Sequence, residues 1–206
     1  MPLLFLARSC VTYGIHWREG RLINVNVLRG LSPMLGLWTS AFEPAGSHLS
    51  AGWFWLFPLL FAIHDAEEAA YVWKEGSLHN SISYATLNVT QTLVAISFEL
   101  TIFMAAAAWA TEPGASHLAI FTFAVLLGGY TAHGFVHLYL GWRAHQYTLG
   151  VATALPLVVF GGLFIYAKLI ETGTLSWTLA ATSFVLGTLV MLPLIWGARR
   201  VGLTFA

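Results

Sequence analysis

Charge is what this sequence has least of. Nine basic and nine acidic residues are scattered through 206, the charged share is 9%, and the formal net charge is zero. Soluble domains carry about a quarter charged residues, so that class is excluded. No basic tract exists, and nucleic acid is not an expected partner. Cysteine is almost absent as well. Cys10 stands alone, so no internal disulfide can form and no thiolate site is available. Any metal would have to rest on imidazole and carboxylate.

Apolar residues take up the space. They make up 58% of the chain, and mean hydropathy is +0.74. Crossing a bilayer takes about 20 residues, and five stretches qualify: roughly 51–73, 84–110, 117–140, 151–170 and 175–196. Turn residues separate them, as in Glu75-Gly76-Ser77, Glu112-Pro113-Gly114 and Thr172-Gly173-Thr174. With so little chain left outside, backbone groups must be satisfied internally, and a helical bundle is the economical answer. The expected fold is all-α, a polytopic membrane bundle of about five transmembrane helices. Tryptophans 53, 55, 73, 142, 177 and 196 fall near span ends, as an interfacial belt does. Gly128-Gly129 and Gly161-Gly162 read as close-packing points between helices. Asn88-Val89-Thr90 matches the glycosylation sequon but falls within the expected second span, where it is read as chance.

Three parts follow from this: a lead-in over residues 1–50, the bundle over 51–197, and a short tail over 198–206. The lead-in holds Arg8, Arg18, Arg21 and Arg29. It reads either as a cytoplasmic amphipathic segment or as an upstream over-extension with the true start at Met34. Counted from Met34, Lys74, Arg143, Arg199 and Arg200 share one side and Lys168 lies opposite. The positive-inside rule then places the C-terminus in the cytoplasm.

Against this background, His64-Asp65-Ala66-Glu67-Glu68 is out of place. An ionised carboxylate at membrane depth costs about 3 kcal/mol or more, and such groups are functional by default. Glu99 lies inside the second span, and His133 and His137 in the third. At 1.5 Å per residue, His64 and Glu68 lie about 13 and 8 Å from the Trp73 end of their helix. Glu99 lies about 20 Å from residue 84, and His133 and His137 about 10 and 5 Å from residue 140. Those three ends are on one side of the bilayer, so the groups share one leaflet or reach the midplane. On the first helix His64, Glu67, Glu68 and Tyr71 share an arc, with Asp65 pointing away as an outer partner. Asn88, Thr92 and Glu99 form a stripe on the second helix, and Tyr130, His133 and His137 on the third. Helices four and five, with Tyr166, Thr178, Thr182 and Ser183, are expected to wall the site.

Two i, i+4 pairs, His133/His137 and His64/Glu68, can each grip an ion. The expected ligand set is His64, Glu67, Glu68, Glu99, His133 and His137, with Glu67 and Glu68 as the catalytic pair. Six such groups on facing helices are the ligand class of carboxylate-bridged dimetal bundles. Oxygen and nitrogen ligands suit iron, manganese or zinc. Two irons or manganeses would favour oxidation of a lipid-like substrate, and this reading leads. One zinc with a glutamate base would favour hydrolysis or isomerisation. Without metal, a Glu/His relay would suit a proton-coupled transporter, although no inverted repeat is visible. Arg143, His145 and Tyr147, in the third loop, could anchor the interface or meet an anionic headgroup.

His64-Asp65-Ala66-Glu67-Glu68 resembles the signature of the HXXEE family of small bacterial membrane proteins. The block of His137 followed by Tyr147-Thr148-Leu149-Gly150 and Pro156 is similar to that family's later motif, a Tyr-x-x-Gly turn leading into an apolar helix. The resemblance covers about residues 52–197 and none of the lead-in. It implies that His64, Glu67 and Glu68 matter, and an integral protein of the bacterial inner membrane, without implying an activity. His133 is not part of the motif.

Overall fold

The computed structural model describes residues 52–75, 78–80, 83–145 and 147–205. The lead-in, Met34 included, lies outside the described residues. Five long helices carry the fold: α1 (Gly52–Glu75), α2 (Val89–Thr111), α3 (His117–Ala144), α4 (Val151–Glu171) and α5 (Trp177–Leu203). A short antiparallel hairpin, β1 (Leu78–Asn80) and β2 (Ser83–Leu87), joins α1 to α2 and pairs Asn80 with Ser83. Four helices, α2 to α5, are long and apolar enough to cross a membrane. The chain is an integral membrane protein. α1 has the length, and its apolar character is interrupted by the motif acids.

Polar caps start the helices where the sequence offers them. Ser116 accepts from the Ala119 N–H at 3.2 Å, and Ser176 from that of Leu179 at 3.2 Å. Asn88 and Gln91 form a reciprocal capping box, each side chain accepting from the other's backbone N–H at 3.0 Å. That box corrects the expected start of the second helix. Residues 83–87 are strand, and the helix begins only after Asn88, so Asn88 and its sequon sit at the helix entrance and not within the span. Glu99 then lies about 15 Å from the start of its helix, nearer the level of the other polar groups.

α3 packs most extensively on α5. A Cβ on Gly128 would sit 2.7 Å from the Phe184 Cα, and one on Gly129 2.7 Å from the Gly187 carbonyl oxygen. Small residues let these two backbones meet, as membrane helices do when no water drives them together. Tyr166 belongs to the same seam: its hydroxyl donates to the Ala124 carbonyl at 2.5 Å and lies 3.0 Å from Ser183 Oγ. Gly161 faces Leu60, and Gly162 faces Thr131. α4 opens with a widened π turn over Ala154–Val159. Pro156 lies within it, and its missing N–H removes one ordinary helix bond.

Aromatic rings fill the centre. Phe57 and Phe61 each lie 4.7 Å from Phe103 by ring centroid, and Phe54 lies 4.8 Å from Phe123. Leu59, Ile63, Leu163, Val185, Leu189 and Leu192 face outward. So broad an apolar exterior suits acyl chains and not water. One turn beyond Phe61, the α1 face that buries phenylalanine buries His64.

Candidate metal centre

α1 presents His64 and Glu68 one turn apart on its inner face, and α3 presents His133 and His137 in the same way. The four side chains meet. One ligand atom from each can be chosen so that all lie within 4.8 Å of one another. Ring centroids are 5.1 Å apart for His64 and His137, 5.9 Å for His64 and His133, and 4.3 Å for His133 and His137. Glu68 Oε1 is 3.1 Å from His137 Nε2 and 3.9 Å from His64 Nε2. Ligands around one zinc-like ion lie about 3.3–4.2 Å apart, given bonds of about 2.0–2.1 Å. Small side-chain adjustments would close this cage on an ion.

The outer ring nitrogens decide which way the inner ones face. His137 Nδ1 lies 2.6 Å from the Leu149 carbonyl oxygen, which can only accept. Its Nδ1 therefore carries the hydrogen, and its Nε2 faces Glu68 Oε1 at 3.1 Å, able to coordinate when unprotonated or to donate to that carboxylate when protonated. His64 Nδ1 lies 2.6 Å from Thr153 Oγ1. The Thr153 hydroxyl gives its single hydrogen to Glu67 Oε2 at 2.5 Å, so it accepts from His64. Here the inward Nε2 is left with a lone pair, and it is buried without a hydrogen-bond partner. Ligating histidines are held in this way, with the remote nitrogen donating to an oxygen behind it. His133 Nε2 is 2.7 Å from His137 Nε2. Three inward ring nitrogens and a Glu68 oxygen thus converge on one point. A cation would satisfy them all.

The neighbouring glutamates separate by direction. Glu68 faces the histidines, and Glu67, a helical step of about 100° away, faces the start of α4. Gly150 precedes that helix in a left-handed conformation and has no side chain to cap it. Glu67 does this from across the bundle. It accepts from the Thr153 N–H at 3.0 Å, the Ala152 N–H at 3.3 Å and the Tyr147 hydroxyl. A carboxylate at a helix N-terminus is stabilised by the unsatisfied N–H groups and the dipole.

Of the six expected ligands, four are therefore brought together. Glu67 is engaged elsewhere, and Glu99 stands across a small cavity of about 50 Å³, whose lining also includes Asp65, Glu68, Thr92, His133 and Arg199. Helices four and five are more than walls. α4 supplies Thr153, the loop before it supplies the Leu149 carbonyl and Tyr147, and α5 supplies Arg199. Arg199, expected in the tail, lies on α5, which continues to Leu203. Thr178 and Thr182 stay exposed, Thr182 bonding within its own helix at 2.8 Å.

A family model described as a protein of unknown function with an HXXEE motif matches residues 55–165. The chain belongs to the HXXEE family. No curated protein and no solved structure matches it. The HXXEE letters fall on His64, Glu67 and Glu68, so the motif encodes two side chains that face the histidine cluster and one that braces the start of α4. The HXXEE match also contains His133, His137 and the loop behind them. It ends before α5, leaving Arg199 outside.

Proposed function

We propose that this HXXEE protein holds one divalent transition metal ion on His64, Glu68, His133 and His137, within the membrane. The observation that carries the reading is the inward Nε2 of His64, a buried lone pair without a partner whose opposite nitrogen is committed to Thr153. Three imidazoles and a carboxylate suit zinc, iron or manganese. The compactness of the cluster supports a single ion: one ligand atom from each of the four side chains can be chosen so that all lie within 4.8 Å of one another.

An ion held by these four side chains would supply Lewis-acid activation of water or of a carbonyl. The chain's own residues would then hold a lipid-like substrate in the adjacent cavity, with Glu99 placed to move a proton. This favours hydrolysis or isomerisation over the two-ion oxidative chemistry expected from sequence. A two-ion centre would need its second ion between Glu68, Glu99 and Asp65, facing the Arg199 guanidinium. Proton coupling is the remaining reading, supported by a hydrogen-bonded chain from His64 through Thr153 and Glu67 to exposed Tyr147. Lys74, Arg143, Arg199 and Arg200 lie at the end of the bundle nearest the centre, which by the positive-inside rule would open toward the cytoplasm of a bacterial inner membrane.

Cobalt(II) substitution of the purified protein tests the reading. A four-coordinate visible spectrum in the wild type, lost in His64→Gln, is expected. A spectrum of hexaaquo cobalt in both would overturn it.

A further inference from the structure

Arg199 and Thr92 have no part in the proposed coordination, yet both line the cavity beside it. Arg199 Nη1 and Thr92 Oγ1 are buried without hydrogen-bond partners, and Thr92 is only 3% exposed. Their position is enforced. Gly202 lets α5 approach α2 so closely that a Cβ there would lie 2.5 Å from the Gln91 carbonyl oxygen. A buried polar group left unpaired is destabilising. Two orphaned donors facing one cavity are therefore placed for an acceptor brought by a ligand.

Charge and shape narrow the acceptor. Asp65, Glu68 and Glu99 share the lining, an acidic setting that suits a neutral acceptor better than an anionic head. Ala95 and Ile96 of α2 and Ile195 of α5 supply apolar walls. We propose that this cavity is a subsite for the neutral carbonyl oxygen of an acyl amphiphile, an ester or an amide. Arg199 and Thr92 donate to that oxygen, and the acyl chain lies along Ile96 and Ile195. The proposal deepens the metal reading by naming what would lie beside the ion, but its binding groups are all side chains of the protein.

The test uses the full chain in lipid nanodiscs, with dodecanamide, dodecanoate and dodecane as probes and thermal stabilisation as the readout. Dodecanamide is expected to stabilise the wild type, and at lower concentration than dodecanoate. Arg199→Met and the near-isosteric Thr92→Val should each weaken it about tenfold, as loss of one good hydrogen bond does, with metal content unchanged. Thr92→Val keeps the test open if Arg199→Met does not fold. Equal amide binding by wild type and Thr92→Val, a preference for dodecanoate, or no amide binding would overturn the subsite. Amide binding through Arg199 in a protein that takes up no metal would sink the metal reading and leave the subsite standing.

Discussion

Gly150 presses its α-carbon against His64: a Cβ at that position would lie 2.9 Å from His64 Cε1 and 3.0 Å from His137 Nδ1. The backbone there has φ of 72°, a region that glycine enters freely and other residues enter at a cost of about 1–2 kcal/mol. The Tyr-x-x-Gly turn is thus the floor of the histidine cluster. Gly150→Ala should fold with its helices intact by circular dichroism and lose most of its bound metal. Full metal content in that variant would show that the floor can yield.

The two glutamates of the motif should behave differently. Glu68→Gln removes a proposed ligand and should reduce bound metal to background in chelator competition. Glu67→Gln removes a brace and should weaken binding about 10–100-fold, the range for groups behind a ligand. Equal effects would mean that their roles are not divided.

Thr153 holds His64 in its tautomer while donating to Glu67. Thr153→Val should therefore weaken metal binding by about 10–100-fold, and Thr153→Ser should restore it because the hydroxyl returns. If serine is as poor as valine, the hydroxyl is not what matters.

The convergence of α1 and α3 was legible because helical rise and twist are fixed: His64, Glu68, His133 and His137 could be placed by counting. The groups behind them were not. Leu149 acts through a backbone carbonyl, which carries no signature in the sequence. The loop that delivers it reverses through left-handed turns at His145 and Gly150, where periodicity gives no guidance. Thr153 sits at the start of an otherwise apolar helix, and Arg199 lies past residue 197, where the bundle is expected to end. Asn88 and Gln91 did carry their signal. Their spacing is that of a capping box, a start signal placed inside the apolar run that begins near residue 84.

Tyr147 gives a pH-dependent readout outside the spans. Partial burial, with the hydrogen bond to Glu67 and that carboxylate's charge, pushes its phenol up to about 12. The folded protein thus keeps this proton longer than the unfolded chain, whose tyrosines titrate near about 10. Its stabilising contribution is complete below the lower value and is lost as pH rises through the higher one. Ultraviolet titration of wild type against Tyr147→Phe should isolate this group, and Glu67→Gln should bring it back toward the ordinary range.

The most direct measurement is the metal content of the protein purified from membranes, by elemental analysis. One zinc, iron or manganese per chain is the expected result, falling to background in His137→Gln. Two ions per chain, or a content indifferent to His137, would contradict a single centre built on three histidines and Glu68.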